Sequence, residues 1–173
     1  VLNFEARGSG GPSYMLVETN GKNGNLISEF VNAKPGYPAA NSLMYSVYKM
    51  LPNDTDLTVF REQANINGFN FAFIGDHFDY HTSLDSYERL DRNTLMHQAD
   101  YFMSMLNHFS KIDLSKLDSD KDFVYFNFPF LKMVYYPYSW IYPLLIFSII
   151  LYLFVVYLGI GINKLSLQGI LNG

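Results

Sequence analysis

A long uncharged segment near the end of the chain constrains its fold more than any other feature. No charged residue occurs between Met133 and Asn163, and the most apolar part of this segment runs from Ser139 to Ile162. An α-helix rises about 1.5 Å per residue, so roughly 20 residues cross a hydrocarbon layer about 30 Å thick. Residues 135–163 are therefore predicted to form one transmembrane helix in a lipid bilayer, because the core helix of a soluble protein seldom runs this far without a charge.

Aromatic residues mark the beginning of this segment, where amphipathic rings are expected at the level of the lipid headgroups. They are Tyr135, Tyr136, Tyr138, Trp140 and Tyr142. One lysine on each side, Lys132 and Lys164, leaves the orientation of the helix undecided by the positive-inside rule. Residues 164–173 are too few for a domain, and they are predicted to lead towards further membrane segments.

The polar part of the chain is acidic. All 16 acidic residues and 11 of the 12 basic residues lie within residues 1–132. This balance argues against a nucleic-acid partner. The absence of cysteine excludes a disulfide scaffold and a thiolate metal site. The chain begins inside a strand-like run without an initiator methionine, so we interpret residue 1 as a position within a longer protein.

Hydrophobic patterns predict strands alternating with helices, which is typical of a layered α/β domain. The predicted strands are Val1–Phe4, Tyr14–Val17 and Phe69–Ile74, and the predicted short helices are 25–33 and 39–51. A long amphipathic helix follows the N-cap Asp91, with a buried stripe predicted at Leu95, Ala99, Phe102, Leu106 and Phe109. His97 and His108 fall opposite this stripe and are expected to be solvated. Residues 111–122 form a polar linker, and 123–132 form an aromatic, strand-like segment.

Candidate chemical groups follow two of the predicted strands. Glu5 comes directly before a glycine-rich turn, and the loop after Phe69–Ile74 contains His77, Asp79 and His81. Ligands of α/β sheets bind in the crevice beyond the carboxyl ends of the strands. Carboxylate and neutral imidazole are ordinary zinc ligands, but a histidine in a polar loop is more often a capping or exposed residue. Asp85 lies four residues after His81 and is placed to accept the second ring N–H of a metal-bound imidazole.

A family resemblance covers residues 1–110. The motif YHTSLDS, residues 80–86, resembles the last metal-ligand motif of the zinc-dependent aminopeptidase family. That family includes bacterial leucyl aminopeptidases, aminopeptidase Y, glutamate carboxypeptidase II and the endoplasmic reticulum metallopeptidase. The segment NFEARGSGGPSYMLVET, residues 3–19, is similar to the segment with another ligand, and TDLTVFRE, residues 55–62, is similar to the acidic segment between the two.

The resemblance implies the C-terminal half of a three-layer, mixed-sheet zinc-peptidase domain that contains two zinc ions. Glu5 would bind one ion and His81 the other, and Tyr80 matches a tyrosine that hydrogen-bonds the developing oxyanion in some relatives. The implied reaction is hydrolysis of the N-terminal peptide bond of a peptide substrate by a metal-bound hydroxide. By the same analogy the peptidase domain faces the non-cytoplasmic side of the membrane, in the periplasm or the lumen.

The chain departs from the family pattern in what it lacks. The family's His-x-Asp pair, bridging Asp and Glu-Glu pair all precede the segment that matches Glu5, and no such motifs occur here. We therefore expect the 173 residues to be inactive without a partner, the missing N-terminal half of the same domain. The predicted organisation is a peptidase half-domain at 1–110, a linker and juxtamembrane segment at 111–134, the helix at 135–163 and a tail at 164–173. Three alternatives remain: a non-catalytic relative like the transferrin receptor, a single-zinc glutaminyl cyclase, and a coincidental resemblance.

Overall fold

The computed structural model describes residues 1–51, 54–162 and 164–172. The chain divides into two compact units, Val1–Tyr136 and Pro137–Gly173. The strands are β1 (Leu2–Ala6), β2 (Gly10–Glu18), β3 (Gly68–Gly75), β4 (Phe123–Phe128) and β5 (Lys132–Pro137). The helices are α1 (Gly24–Asn32), α2 (Ser42–Met50), α3 (Asp56–Ala64), α4 (Arg92–Phe109), α5 (Ile141–Gly161) and α6 (Leu167–Asn172).

A mixed three-stranded sheet forms the centre of the first unit. Its strand order is β1-β3-β2, with β1 parallel to β3 and β2 antiparallel to it. Ala72 of β3 lies opposite Glu5 of β1 and Tyr14 of β2. A bulge interrupts the pairing of β2 between Gly10 and Ser13. The α/β class and the mixed sheet predicted from the sequence are confirmed, and β1 is an edge strand of this sheet.

The hydrophobic core lies between the sheet and helices α1 and α4. Phe71 of β3 is fully buried, and its ring lies 4.9 Å from that of Phe4 and 4.6 Å from that of Tyr101. Phe30 of α1 contacts the same aromatic cluster. Burying a side chain of this size stabilises the folded state by about 1.5–3 kcal/mol relative to leaving it exposed. Most of the packing energy of the first unit therefore resides on this face of the sheet.

The helix boundaries agree well with the sequence patterns. The side chain of Asp91 accepts a hydrogen bond from the main-chain N–H of Asn93, so this residue is the N-cap of α4, as predicted. Helix α3 was not predicted, because its sequence DLTVFREQA has a weakly amphipathic pattern. At the start of α3 the main-chain N–H of Thr55 donates to the hydroxyl of Thr58 (3.2 Å), and Asn65 ends the helix in the left-handed conformation.

The predicted buried face of α4 is wrong. Leu95, Phe102 and Leu106 are exposed, whereas Tyr101 and Met105 are fully buried. The periodicity alone could not distinguish two apolar stripes on one helix, and packing against the sheet selected the stripe that contains a tyrosine and a methionine.

The two histidines of α4 lie on the contact side of the helix, which corrects the expectation that both are solvated. The main-chain N–H of Ser13 donates to Nδ1 of His97. Because Nδ1 accepts, the ring proton lies on Nε2, which donates to the carbonyl oxygen of Tyr37, 2.6 Å away. Nε2 of His108 lies 2.6 Å from Oε2 of Glu29 on α1. Both imidazoles therefore join α4 to neighbouring segments.

Residues 123–137 form a hairpin in which β4 pairs with β5. The sequence predicted a strand-like segment over 123–132 only, and it placed Tyr135 and Tyr136 in the membrane helix. In the structure these two tyrosines belong to β5. The aromatic and β-branched residues of 132–137 fit a strand as well as a helix, and pairing with β4 decides between the two.

The second unit consists mainly of α5. The apolar span that contains this helix covers 24 residues, Tyr138–Gly161, with a mean hydropathy of 2.6, and none of its most apolar window is buried. Pro143 occupies the first turn of α5, where its missing N–H removes no helical hydrogen bond. The hydroxyl of Ser148 donates to the carbonyl oxygen of Leu144, so this polar group is satisfied within the helix. The predicted membrane-spanning helix is thereby confirmed by length and composition.

Candidate active site

The parallel pairing of β1 and β3 brings the two candidate segments to one edge of the sheet. Both strands end there, β1 at Ala6 and β3 at Gly75. Glu5 is the penultimate residue of β1, and the loop with Tyr80 and His81 follows β3 directly. The crevice beyond parallel strand ends is the usual place for a ligand in an α/β sheet. The structure therefore places both segments where the sequence predicted them.

Glu5 is half-buried and held by polar neighbours. The side-chain amide of Asn3 donates to Glu5 Oε1 (2.9 Å) and to Oδ1 of Asn70 (3.1 Å). Alternate residues of a strand point to the same face, which explains why Asn3 reaches Glu5. From α4, the side chain of Gln98 donates to the main-chain oxygen of Glu5 (2.9 Å). These contacts fix the carboxylate of Glu5 while it still lines an open cavity.

Tyr80 and His81 lie at the turn of the loop after β3. Their rings stack with centroids 3.8 Å apart and an interplanar angle of 18°. His81 is exposed and has a φ of 56°, in the left-handed region that non-glycine residues rarely adopt. This backbone conformation is held by hydrogen bonds from Tyr80 N to His77 O (3.3 Å) and from Thr82 N to Asp79 O (3.1 Å). The imidazole is thus presented to the surface and supported on one face by the tyrosine.

Asp79, next to Tyr80, anchors this loop to the turn after β1. Its buried carboxylate accepts hydrogen bonds from the hydroxyl of Ser9 (2.5 Å) and from Nε of Arg89 (2.8 Å). The hydrogen bond from Arg89, followed by that from Ser9, lowers the pKa of Asp79 below its ordinary value. Sequence reasoning missed this group of three residues, because no spacing relates positions 9, 79 and 89. In the structure the carboxylate of Asp79 holds the loop.

Glycines allow the two loops to approach each other closely. A Cβ atom on Gly8 would lie 2.1 Å from the carbonyl oxygen of Gly75, and one on Gly75 would lie 2.5 Å from that of Gly10. The main-chain N–H of Ser9 donates to the same oxygen of Gly75 (3.1 Å). The glycine-rich turn noticed in the sequence therefore serves the contact between the loops that follow β1 and β3.

A cavity of about 670 Å³ opens beside these loops, on the sheet face opposite the main core. Glu5, Arg7 and Tyr80 line its polar end, and α2 contributes much of its apolar wall. The guanidinium carbon of Arg7 lies 5.8 Å from the ring centroid of Tyr80, within the range of a cation–π contact. The cavity is large enough for a short peptide segment. Of the candidate residues, Glu5 and Tyr80 line it together with His77, whereas His81 is not among its lining residues.

A buried ionic group stabilises the sheet near the wall of this cavity. Glu18 of β2 accepts hydrogen bonds from the hydroxyl of Tyr48 (3.0 Å) and from Nε of Arg61 (3.2 Å). Burial, and then the negative charge of Glu18, raises the pKa of Tyr48 to about 12. Tyr48 is therefore a neutral donor at physiological pH, and the group of Tyr48, Glu18 and Arg61 fixes α2 and α3 to the sheet.

The candidate ligands do not make a complete metal site by themselves. Within the described ranges no group of three or more His, Cys, Asp and Glu side chains is arranged to hold a metal ion. Asp85 is exposed, its main-chain N–H donates to the carbonyl oxygen of Thr82 (3.2 Å), and no hydrogen bond to His81 is found among the described residues. In donor chemistry, the carboxylate of Glu5 and the imidazole of His81 both suit zinc. Glu5 and His81 could thus be two of the ligands of a zinc site, but they are not a complete ligand set.

The structure thus has an α/β unit with a crevice at the carboxyl ends of its parallel strands, followed along the chain by a helix long and apolar enough to cross a membrane. The chain belongs to peptidase family M28, whose family model matches residues 1–106. This finding confirms the resemblance to the zinc aminopeptidase family stated from the motifs at residues 3–19 and 80–86. Together with the apolar span Tyr138–Gly161, it describes a peptidase-family chain with a candidate membrane helix.

Several relatives are themselves named as membrane or endoplasmic reticulum peptidases. The chain is 29% identical over 143 residues to the putative endoplasmic reticulum metallopeptidase 1-B of Caenorhabditis elegans, covering 80% of this chain and 16% of the relative. It is 30% identical over 115 residues to endoplasmic reticulum metallopeptidase 1 of Homo sapiens, covering 65% of this chain and 12% of the relative. The vacuolar membrane protease of Debaryomyces hansenii is 26% identical over 125 residues, with 70% and 12% covered.

The chain therefore spans 12 to 16% of the length of these three relatives. No solved structure gives a significant match to it.

Proposed function

We propose that this chain contributes Glu5, Tyr80 and His81 to the active site of a membrane-anchored, two-zinc aminopeptidase. The placement of Glu5 and His81 in segments that meet at the carboxyl edge of parallel strands is the observation that carries the proposal. Family M28 membership supports a peptide substrate. The zinc ions, when bound, would supply a Lewis acid that polarises the scissile carbonyl and lowers the pKa of the attacking water.

The chain's own residues have separate tasks in this proposal. Glu5, oriented by Asn3, would hold one ion through its carboxylate, and His81 would hold the other through its imidazole. Asp85, exposed in the same loop, would accept the second ring N–H of His81. The hydroxyl of Tyr80 donates a hydrogen bond to the oxygen on which negative charge develops, and such a donor stabilises the transition state more than the ground state.

The remaining ligands and the general base are proposed to come from another segment of the same domain. The exposed apolar side chains Leu95, Phe102 and Leu106 of α4, together with the edge strand β1, support this view. Phe102 makes an edge contact with Phe4 of β1 (5.8 Å), so the apolar surface extends from the helix towards the sheet edge. A surface of this kind fits further strands and helices of an α/β domain. In this proposal the 173-residue chain is inactive alone.

The test is the zinc content and aminopeptidase activity of the full-length protein with this chain, compared with its Glu5→Ala and His81→Ala variants. His77→Ala is the matched control for metal binding, because His77 lies in the same loop four residues before His81 and lines the cavity without being a proposed ligand. We expect about two zinc ions per chain in the unmodified protein and a loss of bound zinc and activity in Glu5→Ala and His81→Ala, whereas the control should keep its bound zinc.

Other outcomes identify the alternatives. One zinc ion per chain together with cyclisation of N-terminal glutamine would indicate a glutaminyl cyclase. No bound metal, and no effect of either ligand change, would indicate a non-catalytic relative. Tyr80→Phe tests the oxyanion donor: kcat should fall by roughly 10²–10³-fold while zinc content and KM are retained. An unchanged kcat would remove Tyr80 from the mechanism.

A further inference from the structure

The tip of the β4–β5 hairpin exposes apolar side chains without any covering group in the described part of the chain. Phe130 is fully exposed, Leu131 is 64% exposed and Phe128 is 49% exposed. These residues are consecutive except for Pro129, which separates the two phenylalanines. Single exposed apolar residues are normal on a protein surface, but a contiguous apolar tip marks a contact with a partner or a membrane.

The hairpin packs against the rest of the first unit, and these contacts fix the position of its exposed tip. Tyr125 and Met133 on its inner face belong to the hydrophobic core. The side chain of Asn127 accepts from the main-chain N–H of Ala40 (2.8 Å) and donates to the carbonyl oxygen of Lys132 (3.1 Å). The main-chain N–H of Tyr125 also donates to the hydroxyl of Ser42 (2.9 Å). These contacts determine which face of the hairpin points outward.

The outward face is also apolar. Phe126 and Tyr136 form an edge-to-face pair with centroids 6.4 Å apart, and both are only half-buried. Among residues 123–137 the single charged residue is Lys132, which lies exposed beside the tip. Aromatic rings with one nearby cation are typical of a surface in the interfacial layer of a bilayer, where the rings contact acyl chains and the cation contacts anionic headgroups.

The hairpin is directly connected to the apolar span, and this connection favours a lipid bilayer as the partner that covers the apolar tip. Strand β5 ends at Pro137, and the apolar span begins at the next residue, Tyr138. A six-residue strand places the tip no more than about 20 Å along the chain from Pro137. We propose that Phe128, Phe130 and Leu131 insert into the lipid interface of the membrane that α5 spans, with Lys132 at the headgroups. The hairpin is then a second membrane contact, and this inference does not depend on peptidase activity.

The absence of cysteine from the chain makes a direct test possible. Phe130→Cys provides a single site for an environment-sensitive NBD label in the full 173-residue chain, reconstituted into phosphatidylcholine and phosphatidylglycerol vesicles. The matched control is Phe78→Cys, because Phe78 is 79% exposed and lies on the loop after β3. Both phenylalanines lie outside the core, so neither change removes a core contact. Circular dichroism and a cooperative denaturant transition verify that each labelled chain is folded.

We expect the label at position 130 to emit at shorter wavelength in vesicles and to lose most of its emission when nitroxide groups are placed on the lipids. A nitroxide near the headgroup should quench it more than one at the end of the acyl chain, because interfacial insertion reaches only about 5–10 Å. The label at position 78 should be quenched by neither. The proposal fails if position 130 is unquenched, whether its label stays in water or is covered by a second copy of the chain. It also fails if both positions are quenched equally.

Discussion

At the scale of single residues, Asp79 links the two loops that form the candidate site. Its carboxylate accepts hydrogen bonds from Ser9 in the turn after β1 and from Arg89 in the segment before α4. Of its neighbours in the loop, Tyr80 lines the cavity and His81 is exposed at the surface. A buried carboxylate that loses a charged donor destabilises the folded state. Replacing any one of Ser9, Asp79 and Arg89 is therefore expected to disturb the contacts of the other two. The positions of Tyr80 and His81 thus depend on contacts made by a residue that the proposed mechanism does not use as a ligand.

The lowered pKa of Asp79 makes this anchor sensitive to pH. Because the folded state favours the ionised carboxylate, the contribution to stability is present above the ordinary pKa of about 3.9 and is lost as the pH falls through the lower, folded-state pKa. In NMR titrations we expect the Nε–H resonance of Arg89 to move only at pH below about 4. Asp79→Asn should abolish this transition.

Asp85→Asn is the matched control, because Asp85 lies in the same loop and is exposed. It should leave the titration of Arg89 unchanged. A transition of Arg89 that persists in Asp79→Asn would contradict the proposed anchor.

At the scale of elements, helix α4 connects the core to the exposed apolar surface. Its inner face contributes the fully buried Tyr101 and Met105, and its outer face presents Phe102 and Leu106. The hydroxyl of Tyr101 accepts a hydrogen bond from the main-chain N–H of Ala39 (2.6 Å), so the helix is tied to the segment before α2 as well. Burial raises the pKa of Tyr101 far above its ordinary value, and the residue remains a neutral phenol.

Two adjacent substitutions distinguish the faces of α4. In the 173-residue chain, Met105→Ala should lower the free energy of unfolding by about 2–5 kcal/mol, because it leaves a cavity in the core. Leu106→Ala should change it by less than about 0.5 kcal/mol, because this side chain is 46% exposed. Chemical denaturation measures both, and a larger effect of Leu106→Ala would contradict the observed helix orientation.

The same pair tests whether another segment of the domain covers α4. In the full-length protein, Leu106→Ala should become destabilising by about 2–5 kcal/mol, because the side chain is then buried. An effect equal to that in the 173-residue chain would mean that the outer face stays exposed, and the proposed source of the missing ligands would have to lie elsewhere.

At the scale of the whole molecule, the chain joins a peptidase-family unit to a membrane span. Helix α5 has 21 residues and its span is uncharged, so its insertion is governed by the transfer of apolar side chains into lipid. Leu151 lies near the middle of the helix, where an arginine costs about 2.5–3.5 kcal/mol on the scale derived from cellular insertion.

Leu151→Arg should therefore increase the fraction of chain that alkaline carbonate extracts from membranes, whereas Leu151→Ala should leave the chain embedded. Both variants remove the same side chain, so a difference between them measures the added charge. Equal extraction of the unmodified chain and both variants would contradict a transmembrane α5.

Much of this organisation was predictable from the sequence because it depends on local properties. The uncharged segment is as long as a helix that crosses a bilayer, and this length predicted the membrane span. The alternation of strand and helix patterns indicated an α/β unit, and Asp91 marked the start of α4 as its N-cap. The motifs around Glu5 and His81 were sufficient for the resemblance that the M28 match confirms. The proposed metal roles of Glu5 and His81, and those of Tyr80 and Asp85, remain predictions.

Only the tertiary structure decided which side chains meet across long separations in sequence. It selected the inner face of α4, paired residues 132–137 with β4, and joined Asp79 to Ser9, seventy positions away. A helical or strand period shows which residues share a face, but packing against the rest of the molecule determines which face is buried. The sequence therefore determined the elements and the membrane span, while the arrangement of the loops around the crevice required the folded chain, because it depends on contacts that no local pattern encodes.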